Sequence, residues 1–216
     1  QGTEYMKIVA ALTDPSQASS AQDLGADIIE LRFDLMEDDP LTGVQICRDA
    51  CSLPIIGTIR SAQEGGMFFG DATAWLEKIS PVVPLVDYID IEQRFASCAS
   101  QVRGRGKTII ASHHTGTMLS LAHLFALERD LRAYGDIVKI IVTPRNEGDI
   151  LELLEFTHAI KKPVCTGVMG AQFRYARAIL PLFGSGLVYC HTGTRTAEGQ
   201  YSVQEFVSLM KLLKNG

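Results

Sequence analysis

One lysine interrupts a run of apolar, β-branched residues and is the first candidate for chemistry. Lys139 lies in the run IVKIIV, residues 137–142, whose composition is typical of a buried strand. An amine in apolar surroundings loses solvation, so its neutral and nucleophilic form is favoured. That is the environment of a lysine that forms a Schiff base, whereas the alternative is a side chain that extends to the surface. Lys139 is therefore predicted to be a nucleophile.

Charged residues recur at the ends of other apolar runs. Alternation along ELRFD places Glu30, Arg32 and Asp34 on one face of a strand and apolar side chains on the other. The same alternation aligns Thr58 with Arg60, Asp90 with Glu92, Ser112 with His114, and Lys139 with Thr143. Buried charges are costly unless they are paired or used, so the set predicts a site, although Glu30 and Arg32 alone would also fit a structural ion pair. Whether Asp90 and Glu92 support the site or only neutralise the arginines stays open.

Only one of two adjacent histidines can reach the space into which these charged residues point. Alternation selects His114, because it shares a face with Ser112, and it turns His113 toward the surrounding helices. Glu64 lies in the turn EGG, just after the third apolar run. A carboxylate at such a place is suited to orient a neighbouring imidazole, fixing its tautomer and raising its basicity. His114 is thus the histidine predicted to reach the site.

These residues need a framework in which the ends of many strands meet. Eight apolar runs occur along the chain, at residues 7–12, 26–34, 54–60, 85–92, 107–114, 137–144, 163–170 and 186–193. Eight β/α units with no linker between them predict a single (β/α)8 TIM barrel, an α/β fold, over residues 6–216. An open, doubly wound sheet is the alternative, although no GxGxxG follows the first run. Ser202 and Glu205 predict a capping box at the last helix, and residues 1–5 are interpreted as an added remnant.

Composition and charge argue against several classes of function. The chain has 216 residues, 46% of them hydrophobic, and a formal net charge of −5, so no basic footprint favours nucleic acid as a partner. No apolar run approaches the ~20 residues that span a bilayer, and no secretory signal is visible. The five cysteines show neither a CxxC nor a zinc spacing and are expected to be reduced thiols. A cytoplasmic protein with no membrane partner is expected.

Several motifs, taken together and in order, resemble one family of enzymes. ELRFD (30–34), GTIRSAQEGG (57–66), SHH (112–114), VK (138–139) and MG…R (169–177) are similar to the motifs of type I 3-dehydroquinate dehydratases. The resemblance extends over the whole predicted barrel. It implies syn elimination of water from 3-dehydroquinate to give 3-dehydroshikimate, the third step of the shikimate pathway. It also implies a lysine Schiff base, no metal or organic cofactor, and a homodimer.

The resemblance further implies a role for each site residue. Lys139 would form the imine with the C3 ketone of the substrate. His114 would take the C2 proton and return one to the departing C1 hydroxyl, and Glu64 would orient His114. The implied substrate-binding residues are Glu30, Arg32 and Arg60 for the hydroxyls, Arg177 for the carboxylate, and Thr196 and Gln200 in a loop that closes over the substrate.

The chain departs from the family pattern near that loop, and two alternatives remain. Phe173 and Ala176 stand where the family has glycine and serine, and Glu198 stands where it has proline. A class I aldolase that acts through the same lysine is one alternative, but it would not require the motif RSAQEGG, residues 60–66. A barrel that binds a carboxylated ring compound without catalysis is the other. The candidate lysine and histidine are both present, which argues against it.

Overall fold

Parallel strands and helices alternate along residues 6–214, which are the residues that the computed structural model describes. The strands are β1 (Lys7–Leu12), β2 (Ile28–Arg32), β3 (Ile55–Thr58), β4 (Tyr88–Glu92), β5 (Thr108–His114), β6 (Ile137–Val142), β7 (Val164–Val168) and β8 (Leu187–Cys190). Each of the eight apolar runs in the sequence thus contributes one strand. The interpretation of residues 1–5 as a remnant lies outside the described residues.

Helices connect the strands, and their starts follow the capping signals in the sequence. They are α1 (Ala18–Leu24), α2 (Pro40–Ala50), α3 (Ala72–Ile79), α4 (Ala99–Arg103), α5 (Leu121–Arg132), α6 (Glu147–Ala159), α7 (Ala176–Ile179) and α8 (Val203–Lys214). At α6 the side chain of Asn146 accepts from the backbone N–H of Asp149 at 3.0 Å. At α8 the Ser202 hydroxyl accepts from Glu205 N at 3.1 Å while the Glu205 carboxylate accepts from Ser202 N at 2.8 Å. The predicted capping box is confirmed.

The sheet curls until its two edge strands meet. All neighbouring strands are parallel, in the order β7-β6-β5-β4-β3-β2-β1-β8. At the seam Gly186 N donates to Val164 O at 2.7 Å. The Ser185 hydroxyl accepts from Thr166 N at 3.0 Å and donates to Thr166 O at 3.1 Å, so one side chain replaces a rung of the backbone ladder. The predicted (β/α)8 TIM barrel is confirmed, and the doubly wound alternative is wrong.

An apolar layer and a polar layer follow one another inside the barrel. The apolar layer consists of buried residues from six strands, Val9, Ile28, Ile56, Ile110, Cys165 and Leu187. Two positions further along their strands lie Glu30, Thr58 and Ser112, all of them buried. Because strand residues two apart point the same way, these polar side chains lie above the apolar layer, toward the carboxyl ends of the strands. Active sites of this barrel type form at that end.

The outward faces of the strands pack beneath the helices. Trp75 of α3 is fully buried, and its ring lies 5.5 Å from that of Phe95, which follows β4.

Within the described part of the chain, no helix is both long and apolar enough to cross a membrane. The five cysteines are free thiols.

Candidate active site

One cavity of about 310 Å³ opens at the carboxyl ends of the strands. Its size lies at the lower end of the range for small-molecule sites, about 300–1,000 Å³. All nine residues that the sequence nominates line it: Glu30, Arg32, Arg60, Glu64, His114, Lys139, Arg177, Thr196 and Gln200. The fold therefore brings the set together, while the role of each member stays a prediction.

Lys139 points into the barrel rather than to the surface. Only 4% of the residue is exposed, and its Nζ donates to Asp90 Oδ2 at 3.2 Å. Nζ also lies 3.8 Å from the centre of the Tyr189 ring, within the range of a cation–π contact. The amine is therefore in direct contact with a buried carboxylate and with an aromatic face.

Arg60 forms ion pairs with Asp90 and Glu92, the two acidic residues whose roles the sequence left open. Its guanidinium donates to Glu92 Oε1 at 3.1 Å and lies 3.0 Å from Asp90 Oδ2, and Glu92 also accepts from Ser61 N at 2.7 Å. Burial works to raise the pKa of Asp90, but Arg60 and Lys139 hold that pKa below its usual value. Asp90 thus contacts both Arg60 and Lys139, and Glu92 contacts Arg60 and the backbone of Ser61. No group of three or more His, Cys, Asp or Glu side chains between residues 6 and 214 is arranged to hold a metal ion.

His114 and Glu64 form a buried pair. Glu64 Oε2 lies 2.9 Å from His114 Nδ1 and also accepts from the backbone N–H of His114 at 2.9 Å. Burial raises the pKa of Glu64 to about 8, and Glu92 adds to this effect while Arg60 opposes it. Burial also lowers the pKa of His114 well below its usual value, with Arg60 and Lys139 acting in the same direction. With Nδ1 engaged by Glu64, Nε2 is the ring nitrogen of His114 left for chemistry.

His113 points away from the substrate cavity, as alternation predicts, but it does not simply pack among helices. Its Nδ1 lies 3.7 Å from Glu64 Oε1, and 29% of its side chain is exposed. It lines a second, more open cavity together with Glu64 and His114. The expectation that His113 turns to the helices missed this contact, because Glu64 comes from a turn whose path the sequence pattern does not define.

Glu30 and Arg32 are held by different partners. Thr58 Oγ1 donates to Glu30 Oε1 at 2.8 Å. Arg32 binds Asp34 through two hydrogen bonds of 2.9 and 2.8 Å, so its ion pair is with Asp34 and not with Glu30. Asp34 also accepts from the backbone N–H of Arg60 at 3.2 Å, which ties the end of β2 to the segment after β3. The side chains of Glu30 and Arg32, which line the cavity, are therefore held in place by hydrogen bonds within the protein.

Arg177 is the candidate anion-binding group. Its Nη2 donates to the carbonyl oxygen of Glu198 at 3.1 Å, and its buried Nε has no hydrogen-bond partner within residues 6–214. Burial lowers the pKa of its guanidinium. The residues at which the chain departs from the family pattern lie beside it: Phe173 and Ala176 are buried in the core, and Glu198 borders the cavity. The unpartnered Nε leaves Arg177 with a donor suited to an anionic group.

The segment between β8 and α8 is folded over the cavity. Gln200 is 3% exposed, and its Oε1 accepts from the backbone N–H groups of Thr196 at 3.0 Å and Ala197 at 3.3 Å. Its Nε2 donates to Thr196 Oγ1 at 2.9 Å. Gly199 has φ 76° and packs against Gly170, where a Cβ would collide. Gln200 therefore holds the loop together from within, which its sequence position alone did not reveal.

Comparison with known proteins agrees on one family. Residues 10–216 match the family model described as type I 3-dehydroquinase. The chain is 65% identical over 208 residues to the 3-dehydroquinate dehydratase of Methanoregula boonei, covering 96% of this chain and 100% of that one. The crystal structure of the 3-dehydroquinate dehydratase from Aquifex aeolicus is similar, with a TM-score of 0.85 at 28% identity, covering 98% of this chain and 100% of that one. The type I enzyme of Clostridium difficile, solved with covalently modified comenic acid, gives 0.86 at 25% identity, covering 98% and 93%.

Proposed function

The chain belongs to the type I 3-dehydroquinase family, and we propose that it removes water from 3-dehydroquinate through an imine on Lys139. The observation that carries this proposal is the buried Lys139 amine, which shares one cavity with the His114–Glu64 pair and with an arginine that lacks an anionic partner. These are a nucleophile, an acid–base group and an anion-binding group, the parts that the reaction needs.

The first step is attack of the Lys139 amine on the C3 ketone. The lone pair of the neutral amine forms the C–N bond, and the proton that the nitrogen then loses passes by way of Asp90, 3.2 Å away, to the former ketone oxygen. That oxygen takes a second proton from solvent and leaves as water, so an iminium cation remains and Asp90 is again a carboxylate. That cation lies beside the Asp90 carboxylate and the face of Tyr189, both of which stabilise positive charge. The neighbour from Clostridium difficile, which was solved with a covalently modified ligand, is consistent with covalent chemistry in this cavity.

The second step is elimination. The iminium withdraws electrons, so His114 Nε2 removes a proton from C2 and an enamine forms. The enamine expels the C1 hydroxyl, which leaves as water after His114 returns a proton to it. Water then hydrolyses the new iminium to release 3-dehydroshikimate and free Lys139. Glu64 fixes the His114 ring throughout, since it holds both Nδ1 and the backbone N–H of that residue.

The substrate is held by charged side chains around the cavity. Arg177 would bind the carboxylate, because its buried Nε has no hydrogen-bond partner among residues 6–214 and it borders the cavity. Glu30, Arg32 and Arg60 would bind hydroxyls, with Arg60 acting mainly through the acids it already holds. The loop that contains Thr196 and Gln200 would keep water out of the site. We further propose that residues 6–216 act as one catalytic domain without a metal or organic cofactor, as a cytoplasmic homodimer, at the third step of the shikimate pathway.

Borohydride trapping tests the imine. Reduction in the presence of substrate or product should attach an adduct to Lys139, which peptide mass mapping locates, and the conjugated enone of the product should absorb in the ultraviolet. Lys139→Arg should abolish both signals, whereas Lys161→Arg, at an exposed position, should leave both unchanged. Enone formation without an adduct on Lys139 would refute the imine. The absence of enone would favour an aldolase or a binding protein instead.

A further inference from the structure

Glu64 lies between two cavities. One is the substrate cavity, and the other, here called the outer cavity, is lined by Gln63, Glu64, Gln93, Arg94, His113, His114, Thr115 and Gly116. Glu64 and His114 border both. The outer cavity is the more open of the two, and the proposed reaction makes no use of His113, the other titratable ring that borders it.

The two oxygens of Glu64 have different surroundings. Oε2 faces three hydrogen-bond donors or potential donors: the backbone N–H and Nδ1 of His114, both at 2.9 Å, and Arg60 Nη1 at 3.4 Å. Oε1 faces His113 Nδ1 at 3.7 Å. That nitrogen is buried and has no hydrogen-bond partner in the described part of the chain. An oxygen that accepts from a backbone N–H and a guanidinium is poorly placed to carry a proton itself, so a proton on Glu64 belongs on Oε1.

We propose that His113 is a positioning residue whose Nδ1 accepts a hydrogen bond from protonated Oε1 of Glu64, which keeps Oε2 an acceptor for His114 Nδ1–H. His114 then holds its proton on Nδ1 and presents the lone pair of Nε2 to the substrate. Without His113 the proton is free to move to Oε2. His114 Nδ1 would then become the acceptor and the ring proton would shift to Nε2, where a base cannot work. This inference rests on the proposed role of His114 as the base.

The electrostatics of the pair favour this arrangement near neutral pH. Burial raises the pKa of Glu64 to about 8, which favours a proton on the carboxyl group at pH 7, and that proton needs an acceptor. Burial lowers the pKa of His113, with Glu92 opposing, so its ring is neutral and offers a lone pair. The other charged or titratable groups around Glu64 include Arg60 after β3, Asp90 and Glu92 on β4, Tyr134 after α5, and Arg94, which lines the outer cavity. Closing the gap from 3.7 Å to a normal hydrogen bond needs a movement of about 0.8 Å of the partly exposed His113 ring.

The pH profile of kcat distinguishes this role from a structural one. His113→Leu removes the acceptor, so the acidic limb of kcat should move up by about one pH unit, the size expected for one lost hydrogen bond. The loss should be about tenfold at low pH and should vanish at high pH, with KM and borohydride trapping on Lys139 unchanged. His113→Asn restores an acceptor near the position of Nδ1 and should return the limb toward that of the wild type. Gln63→Ala, which alters an exposed residue of the same cavity, should match the wild type at every pH.

Three results would overturn the proposal. One is a His113→Leu profile that lies below the wild type by the same factor at every pH, and another is a His113→Asn variant that behaves like His113→Leu. The third comes from the wild-type protein itself: ¹⁵N chemical shifts of the imidazoles should show His114 protonated on Nδ1 and His113 on Nε2, and the reverse at His114 refutes the assignment. These outcomes are independent of the imine, because a wild-type enzyme that forms no adduct on Lys139 contradicts the proposed function and not the tautomer.

Discussion

Glu64→Gln is a sharp perturbation, because glutamine has the shape of a protonated glutamate but cannot ionise. The structure buries Glu64 to 9% exposure and gives Oε2 to His114. A glutamine at this position would accept from His114 through its carbonyl oxygen and donate from its amide toward His113. The variant therefore reproduces the neutral form of the site, and its stability isolates what ionisation of Glu64 costs the folded protein.

The magnitude follows from the difference between the folded and unfolded pKa of one carboxyl group. Below pH 4.5 the carboxyl is protonated in both states, so wild type and variant differ by a constant. As pH rises from 4.5 to about 8 the carboxyl ionises in the unfolded chain only, and the wild type steadily loses stability relative to the variant. Above pH 8 both states are ionised and the loss stops. That interval of pH corresponds to about 5 kcal/mol in the free energy of unfolding.

Urea denaturation of both proteins at half-unit steps between pH 4.5 and 9 measures this difference. The free energy of unfolding of Glu64→Gln minus that of the wild type should increase with pH and reach a plateau near pH 8.5. Glu155→Gln, at an exposed position on α6, serves as the control and should give a flat difference. A flat difference for Glu64→Gln would show that Glu64 is already ionised in the folded protein near pH 5. A proton on Oε1 of Glu64, as proposed above, would then be excluded as well.

Three further substitutions test the cavity and the barrel. Gln200→Ala should raise KM by a factor that corresponds to ~1–3 kcal/mol, with a smaller effect on kcat, because it releases the loop contacts to Thr196 and leaves the proton transfers intact. Arg177→Lys should raise KM about tenfold or more, because a single ammonium cannot form the two-pronged contact with a carboxylate; unchanged KM would place the carboxylate elsewhere. Ser185→Ala should lower the free energy of unfolding by about 1–3 kcal/mol in urea, since the buried N–H of Thr166 loses its acceptor at the seam.

The fold and the position of the cavity could be predicted because both depend on short-range periodicity. Alternation of side chains along a strand needs only the local sequence, and it brings Glu30, His114 and Lys139 to one end of one barrel. The capping box of Ser202 and Glu205 is likewise local. Features of this kind are specified within a few residues, so no knowledge of the tertiary structure is required.

The remaining features depend on distances between segments far apart in the chain. The contact of His113 with Glu64 and the bond between Asp90 and Lys139 join residues about 50 positions apart, and each requires the register of two strands or the path of a turn. Ser185 lies outside the strands, yet it supplies the hydrogen bonds of the seam. The alternation of side chains along a strand predicts which face of the strand a residue lies on, but it does not predict which residue of another strand it contacts. The position of Asp90 on the inner face was therefore visible in the sequence, but its bond to Lys139 was not.

Burial raises the pKa of Glu64, and the negative charges of Glu92 and Asp90 act in the same direction while Arg60 opposes them. Asp90 and Glu92 both bind Arg60, and Asp90 also binds Lys139, so two acids face two cations when the lysine is protonated. In the proposed reaction the Lys139 amine attacks in its neutral form, and Asp90 and Glu92 then face Arg60 alone, with one negative charge in excess among these groups. An ionised Glu64 would double the excess in a buried space, whereas a protonated Glu64 does not add to it. In the proposed mechanism the iminium would place a positive charge beside the Asp90 carboxylate, where a protonated Lys139 also lies, and the carboxylate would stabilise it.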